Sequence, residues 1–273
     1  MKKTISLFFL LITSSFFSQK KLTTSQAINI MSKQAMLVER MAKDKISTFC
    51  KVETLRATKE KNSSLILFEK NINTLYKIEL NPQTKSKIDL LELLWIGYKS
   101  NIKNKDKASL NKTLTFNKVV LKQCTKIYNS LIVSANQKKT YPYNFKNPKL
   151  TSAVIENNDL KYLSQRLSLY YTTYYYKLKP YNSKQFTDII NNIDNRVSKT
   201  ISLKRYNLEI TKKTKDLEYQ WSLIKDSLSN TIKDKSINTA KSPKPSTIFR
   251  ACNKILSSSD KLSRAYKATN ETD

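Results

Sequence analysis

The sequence predicts an all-α protein: two tandem up-down-up-down four-helix bundles related by internal duplication. Three observations lead there. Gly97 is the only glycine in 273 residues, and there are six prolines. Apolar residues recur at steps of three and four through most of the chain. Landmarks of the first half return in the second at a nearly constant offset. Tight hairpins and phosphate loops depend on glycine for positive φ, so a chain with one glycine builds its fold from helices. Hydrophobic residues make up 39% of the composition, enough for a real core.

Residues 1–18 read as a secretory signal peptide. Lys2 and Lys3 form a charged start, Ile5 to Phe17 an apolar run too short to span a bilayer, and Ser18 offers a small residue for cleavage. A secreted or periplasmic location follows as the expectation. No cysteine follows the run, so a lipoprotein is not expected.

The first bundle is expected over residues 22–137. Thr23, Thr24 and Ser25 supply capping hydroxyls for a helix starting near Gln26. Its apolar stripe comprises Ile28, Met31, Ala35, Val38, Ala42, Ile46 and Phe49, widened by Leu37 and Met41. A second helix is expected from about Ser64 to Leu80, stopped by Asn81-Pro82. A third carries Ile88, Leu91, Leu94, Trp95 and Tyr98, and a fourth Val120, Cys124, Ile127 and Leu131. Residues 138–150, with Tyr141-Pro142-Tyr143 and Asn147-Pro148, read as a linker that stacks the bundles end to end. The second bundle is expected over residues 151–268, with helices at about Thr151–Leu178, Ser183–Leu203, Tyr206–Ile232 and Ser246–Tyr266.

The duplication rests on ordered anchors. Arg40 and Arg166 lie 126 residues apart, as do the only two tryptophans, Trp95 and Trp221, each with a leucine four residues earlier. Cys124 and Cys252, in matching fourth helices, are 128 apart. Both tryptophans are read as structural anchors of the core or a helix seam.

Composition also limits function. Fifty basic against 21 acidic residues give a formal charge of +29, which favours anionic partners, an anionic envelope surface among them. The basic residues are scattered and mostly lysine, so a generally solvated surface is the competing reading. There is no histidine, which removes the Ser-His-Asp and Cys-His nucleophile systems and histidine-ligated metals. No enzyme, metal site or cofactor is expected, and nucleic acid is an unlikely partner for an exported chain without a recognised motif. The three cysteines, Cys50, Cys124 and Cys252, leave at least one thiol outside any intrachain pair. The tyrosines Tyr170, Tyr171, Tyr174, Tyr175, Tyr176 and Tyr181 surround a helix, packing inside or stacking on sugars or bases outside.

Ile28-Asn29, Lys33-Gln34, Met36-Leu37 and Arg40-Met41-Ala42-Lys43, with Leu163-Ser164-Gln165-Arg166-Leu167 in the second half, resemble a known family. It is the N-terminal sensory domain of type IV pilus methyl-accepting chemotaxis transducers, related to the sensor domains of nitrate/nitrite sensor kinases. The resemblance implies a periplasmic four-helix sensory module, often dimeric, with ligand contacts on the first helix. Asn29, Arg40, Lys43, Lys161 and Arg166 become the candidate ligand-binding residues. Ala35 and Lys161 stand where the nitrate sensors carry their anion-gripping arginine, so nitrate is not the expected ligand. An alternative use of Arg40 is a surface or seam salt bridge, with Glu39 or Asp44 of a neighbour. The functional expectation is a non-enzymatic sensor-like module that recognises a small ligand or a membrane signalling partner in trans, with a possible homodimer through the first-helix faces. The alternative is an envelope structural or adhesive protein that binds polyanions.

Overall fold

The computed structural model describes residues 23–137, 148–178, 183–201, 207–233 and 242–272. The expected signal peptide, most of the expected linker, and Tyr181 lie outside them. Eight α-helices fill the described residues, with no strand among them: α1 (Thr24–Phe49), α2 (Thr54–Leu75), α3 (Pro82–Lys103), α4 (Ala108–Gln137), α5 (Pro148–Tyr175), α6 (Ser183–Ile201), α7 (Leu208–Lys233) and α8 (Pro245–Thr272). The all-α bundle expectation holds. No helix of the described residues is long and apolar enough to cross a membrane.

Local signals set several boundaries. Thr23 caps α1 through a reciprocal capping box: its hydroxyl accepts from the Gln26 amide, and its own amide donates to Gln26 Oε1 at 2.7 Å. Asn81 caps α3, with Pro82 in the first turn. The Asn-Pro pair therefore starts α3; α2 has already ended at Leu75. Pro148 likewise opens α5 rather than belonging to a linker. Gly97 permits close approach of α3 and α4, because a Cβ there would lie 3.0 Å from Phe116 Cε1.

The halves lie side by side, correcting the end-to-end arrangement expected from the linker. α1 packs on α2, α4 and α5; α5 packs on α1, α6 and α8; α3 and α7 lie outside, mainly against α4 and α8. Contacts between α1 and α5 climb both helices together. Lys33 feels Lys161, Glu39 binds Arg166, and Cys50 neighbours Tyr176. The two first helices are thus parallel and in register. They cover each other along this face.

Some local features of one half recur in the other. Trp95 and Trp221 are both buried, and each meets the second helix of its half at positions 126 apart. Trp95 stacks on Phe68 with ring centroids 4.3 Å apart, and Trp221 Nε1 donates to Asp194 Oδ1 at 3.0 Å. α1 and α5 also end alike. Val52 N donates to Ser47 O and Leu178 N to Thr173 O, both at 2.8 Å, around Lys51 and Lys177 in left-handed backbone.

Candidate functional site

A helix with three packed neighbours has little surface to give to solvent, and α1 buries its polar side chains along with its apolar stripe. Glu39, Lys43, Asp44, Lys45 and Ser47 are all inaccessible or nearly so. Charges removed from water must be paired and hydrogen-bonded. The pairing here joins the two halves of the molecule.

Lys43 is the hub. Its ammonium donates to Glu60 Oε2 of α2 at 3.0 Å, Gln165 Oε1 of α5 at 2.8 Å and Asn253 Oδ1 of α8 at 3.0 Å. Those three bonds use all three ammonium hydrogens. The charge also lies 4.1 Å from the centroid of the Phe249 ring. Asn253 Nδ2 returns to both Glu60 oxygens at 3.0 and 3.1 Å, and Arg56 reaches Glu60 Oε1 at 2.8 Å. Burial works against ionisation of Glu60, but Lys43 and Arg56 overcome it and hold its pKa below the ordinary value.

Asp44 fares differently. Lys43 Nζ pairs with its Oδ1 at 3.0 Å, but Oδ2 has no hydrogen-bond partner. Complete burial, reinforced by the negative charge of Glu60 and opposed by Lys43 and Arg40, raises its pKa to about 7. It is an aspartate poised to be neutral in a mildly acidic medium.

The second link across the seam is Glu39–Arg166. Nε and Nη2 of Arg166 both donate to Glu39 Oε1, at 2.9 and 2.6 Å. The guanidinium carbon lies 5.4 Å from the centre of the Tyr162 ring. Burial opposes the charge on Arg166, but Glu39 outweighs it and raises its pKa. Glu39 Oε2 is left without a hydrogen-bond partner, as is Arg40 Nε one residue further on.

The remaining predicted residues separate. Asn29 lies on the exposed side of α1, a long way from the hub along the helix. Lys161 belongs to the interior of the second half, joining α5 to α8 through Asp260 at 3.0 Å and Ser263 at 2.8 Å; burial lowers its pKa. Arg40 is half-buried beside the cluster and acts on Asp44 and Glu60 by charge. Of the five candidates, Lys43, Arg40 and Arg166 meet at the seam. Glu60 and Asn253 were missed: they lie 17 and 210 residues from Lys43, and nothing in their local sequence marks them. Gln165 had a signal, since it sits inside the repeated motif.

Two further features flank the seam. Lys45, pushed down to about 8 by burial, donates to Ser109 Oγ at 2.6 Å, Thr113 Oγ1 at 3.0 Å and the Asn101 carbonyl. A shallow notch between α4 and α5 is lined by Leu114, Asn117, Lys118, Leu169, Tyr170 and Thr173. Cys124 and Cys252 are buried free thiols, and burial pushes Cys252 up to about 12; neither has the depressed pKa of a reactive thiolate. No cluster of three or more metal-ligating side chains occurs among the described residues.

No family model, curated protein or solved structure matches the chain.

Proposed function

We propose that the chain is a non-enzymatic, sensor-like binding module of the periplasm or the secreted space, which recognises a small ligand or a membrane signalling partner in trans at the α1/α5 seam. One observation carries the reading. Where the two halves meet, Glu39 Oε2, Arg40 Nε and Asp44 Oδ2 keep unspent hydrogen-bonding capacity beside two charged links. Buried polar groups without partners are costly, so a ligand or a shift of the halves that satisfies them is rewarded. The motif resemblance points to the same helix, and the lack of histidine in the sequence argues against general acid–base chemistry near neutral pH. Two parallel helices tied by a few charged contacts form an element that ligand binding can bias.

Thermal-shift screening against small anions and metabolites tests the reading, with Arg40→Ala and Arg166→Ala beside the unmodified chain. A ligand that raises the melting temperature of the unmodified chain and fails to do so for either variant supports it. Stabilisation that both variants retain moves the binding site elsewhere, and a screen without any stabilising compound removes the ligand arm.

A further inference from the structure

The parallel course of α1 and α5 brings their C-terminal ends to the same end of the molecule. Each helix closes with a lysine in left-handed backbone: Lys51 at φ 57° and Lys177 at φ 53°. Both side chains are exposed. Glycine is the residue this position favours, because it carries no Cβ to crowd the following carbonyl. A lysine kept there twice, at positions 126 apart, is not explained by folding stability.

The surroundings supply a use. The up-down course brings the α3–α4 loop to this end with exposed Lys103, Lys105 and Lys107, and Lys244 is exposed at the start of α8. Of the acids nearby, Glu53 is paired with Arg250 at 2.5 Å, while the exposed Asp106 accepts the Ser109 amide at 2.5 Å and keeps its charge among these exposed lysines. Apolar side chains stand among the cations. Leu55 is 88% exposed, Tyr176 41% and Phe49 40%. A polysaccharide or nucleic acid has no use for an exposed leucine, whereas a lipid headgroup layer takes up both a cation and an apolar tip.

We infer that this end of the bundle docks on an anionic bilayer surface, with Lys51 and Lys177 meeting lipid phosphates and Leu55, Phe49 and Tyr176 seated among the headgroups. Binding here is independent of the seam's ligand, and either can fail without the other.

Co-sedimentation with vesicles tests it, using phosphatidylcholine alone and phosphatidylcholine with about 30 mol% phosphatidylglycerol, at about 0.15 M salt where surface potential still acts over about 8 Å. The chain should sediment with the anionic vesicles and not with the neutral ones. The double variant Lys51→Gly/Lys177→Gly should lose binding at least about ten-fold while melting at a higher temperature, which separates lost contact from lost fold. Leu55→Ser should weaken binding at unchanged charge. Lys122→Gln/Lys126→Gln, the same charge loss on the exposed side of α4, should bind as the unmodified chain does. The inference is overturned if the glycine variant binds normally, or if the α4 variant loses as much, which would leave only diffuse charge. It is also overturned if Leu55→Ser is indifferent while heparin competes fully, which would indicate a generic polyanion surface.

Discussion

α1 and α5 occupy equivalent places and carry opposite chemistry. Where α1 has Glu39, Lys43, Asp44 and Lys45, α5 has Gln165, Leu169, Tyr170 and Tyr171 at positions 126 further on. Both sets lie mostly in the interior, with Tyr170 half-buried. At these four positions α5 is apolar or neutral, while α1 places four charges there and must match them. The difference shows that the charges are not required to make such a helix. They make the seam specific, because the hub formed by Lys43 needs Gln165 and Asn253 from the other half at one register. Apolar surfaces tolerate sliding; a three-bonded ammonium does not.

The comparison breaks most sharply at Lys43. Lys43→Leu gives α1 the residue of α5, but leaves Asp44 in the interior without its paired lysine and Glu60 with Arg56 alone. Stripping one partner from a buried pair costs about 3–5 kcal/mol, and chemical denaturation should register a loss of that size. Adding Asp44→Tyr and Glu60→Phe, the residues found at positions 170 and 186, should restore part of it, since a well-packed apolar replacement of a whole ionic cluster is often tolerated. If the triple variant is no better than Lys43→Leu, the two halves are less interchangeable than their contacts suggest.

Asp44 gives the next largest effect, through pH. Its ordinary pKa of 3.8 rises to about 7 in the folded chain. Between those values the folded state holds a proton that the unfolded state has lost, so stability falls as pH rises through this window. At about 1.4 kcal/mol per unit, the chain should be about 3 kcal/mol less stable at about pH 8 than at about pH 5 through this group alone. Asp44→Asn should flatten that slope. An unfolding free energy whose pH dependence is the same in both proteins would show that Asp44 ionises freely when folded.

The apolar half of this architecture was legible in the sequence, and the polar half was not. Ile28, Met31, Val38, Ala42 and Ile46 were placed on one face of α1, and all are buried. Helix periodicity does not show that α1 has neighbours on three sides, and so does not place Glu39, Lys43 and Asp44 in the interior. Phe49 was assigned to the stripe but stands at the helix end, 40% exposed. α2 begins ten residues before its apolar periodicity, because what holds its first turns is tertiary: Ala57 packs with Val52 and with Phe249 of the other half. At the site, the salt bridge weighed for Arg40 is made instead by Arg166, which binds Glu39. The neighbour is α5 of the same chain, which only the parallel packing of the halves reveals.

Arg166 tests the smaller of the two links. Its side chain is 25% exposed while that of Glu39 is 1% exposed, so solvent screens part of the pair. Arg166→Ala should cost about 1–3 kcal/mol, mostly as the penalty for leaving Glu39 alone in the interior. Glu39→Gln in that background gives α1 the residue of α5 and should recover most of the loss. A double-mutant cycle close to zero would mean that the pair fixes register without adding stability.

The smallest effect asks whether the halves are equivalent in energy as well as in geometry. Lys51 and Lys177 occupy the same left-handed position in the same hydrogen-bonded ending. Glycine relieves the Cβ strain at such a site, partly offset by the extra freedom it gives the unfolded chain. Lys51→Gly and Lys177→Gly should each stabilise the chain by about 1 kcal/mol, and their effects should add, because the two endings share no hydrogen bond. The ammonium lost from each helix C-terminus subtracts a few tenths, since a cation there interacts favourably with the helix dipole. Equal gains would show that both helices store the same strain for the same exposed charge. A gain at Lys51 alone would place the strained, outward-facing lysine in α1, the helix that also carries the buried charges, and would leave α5 as its neutral support.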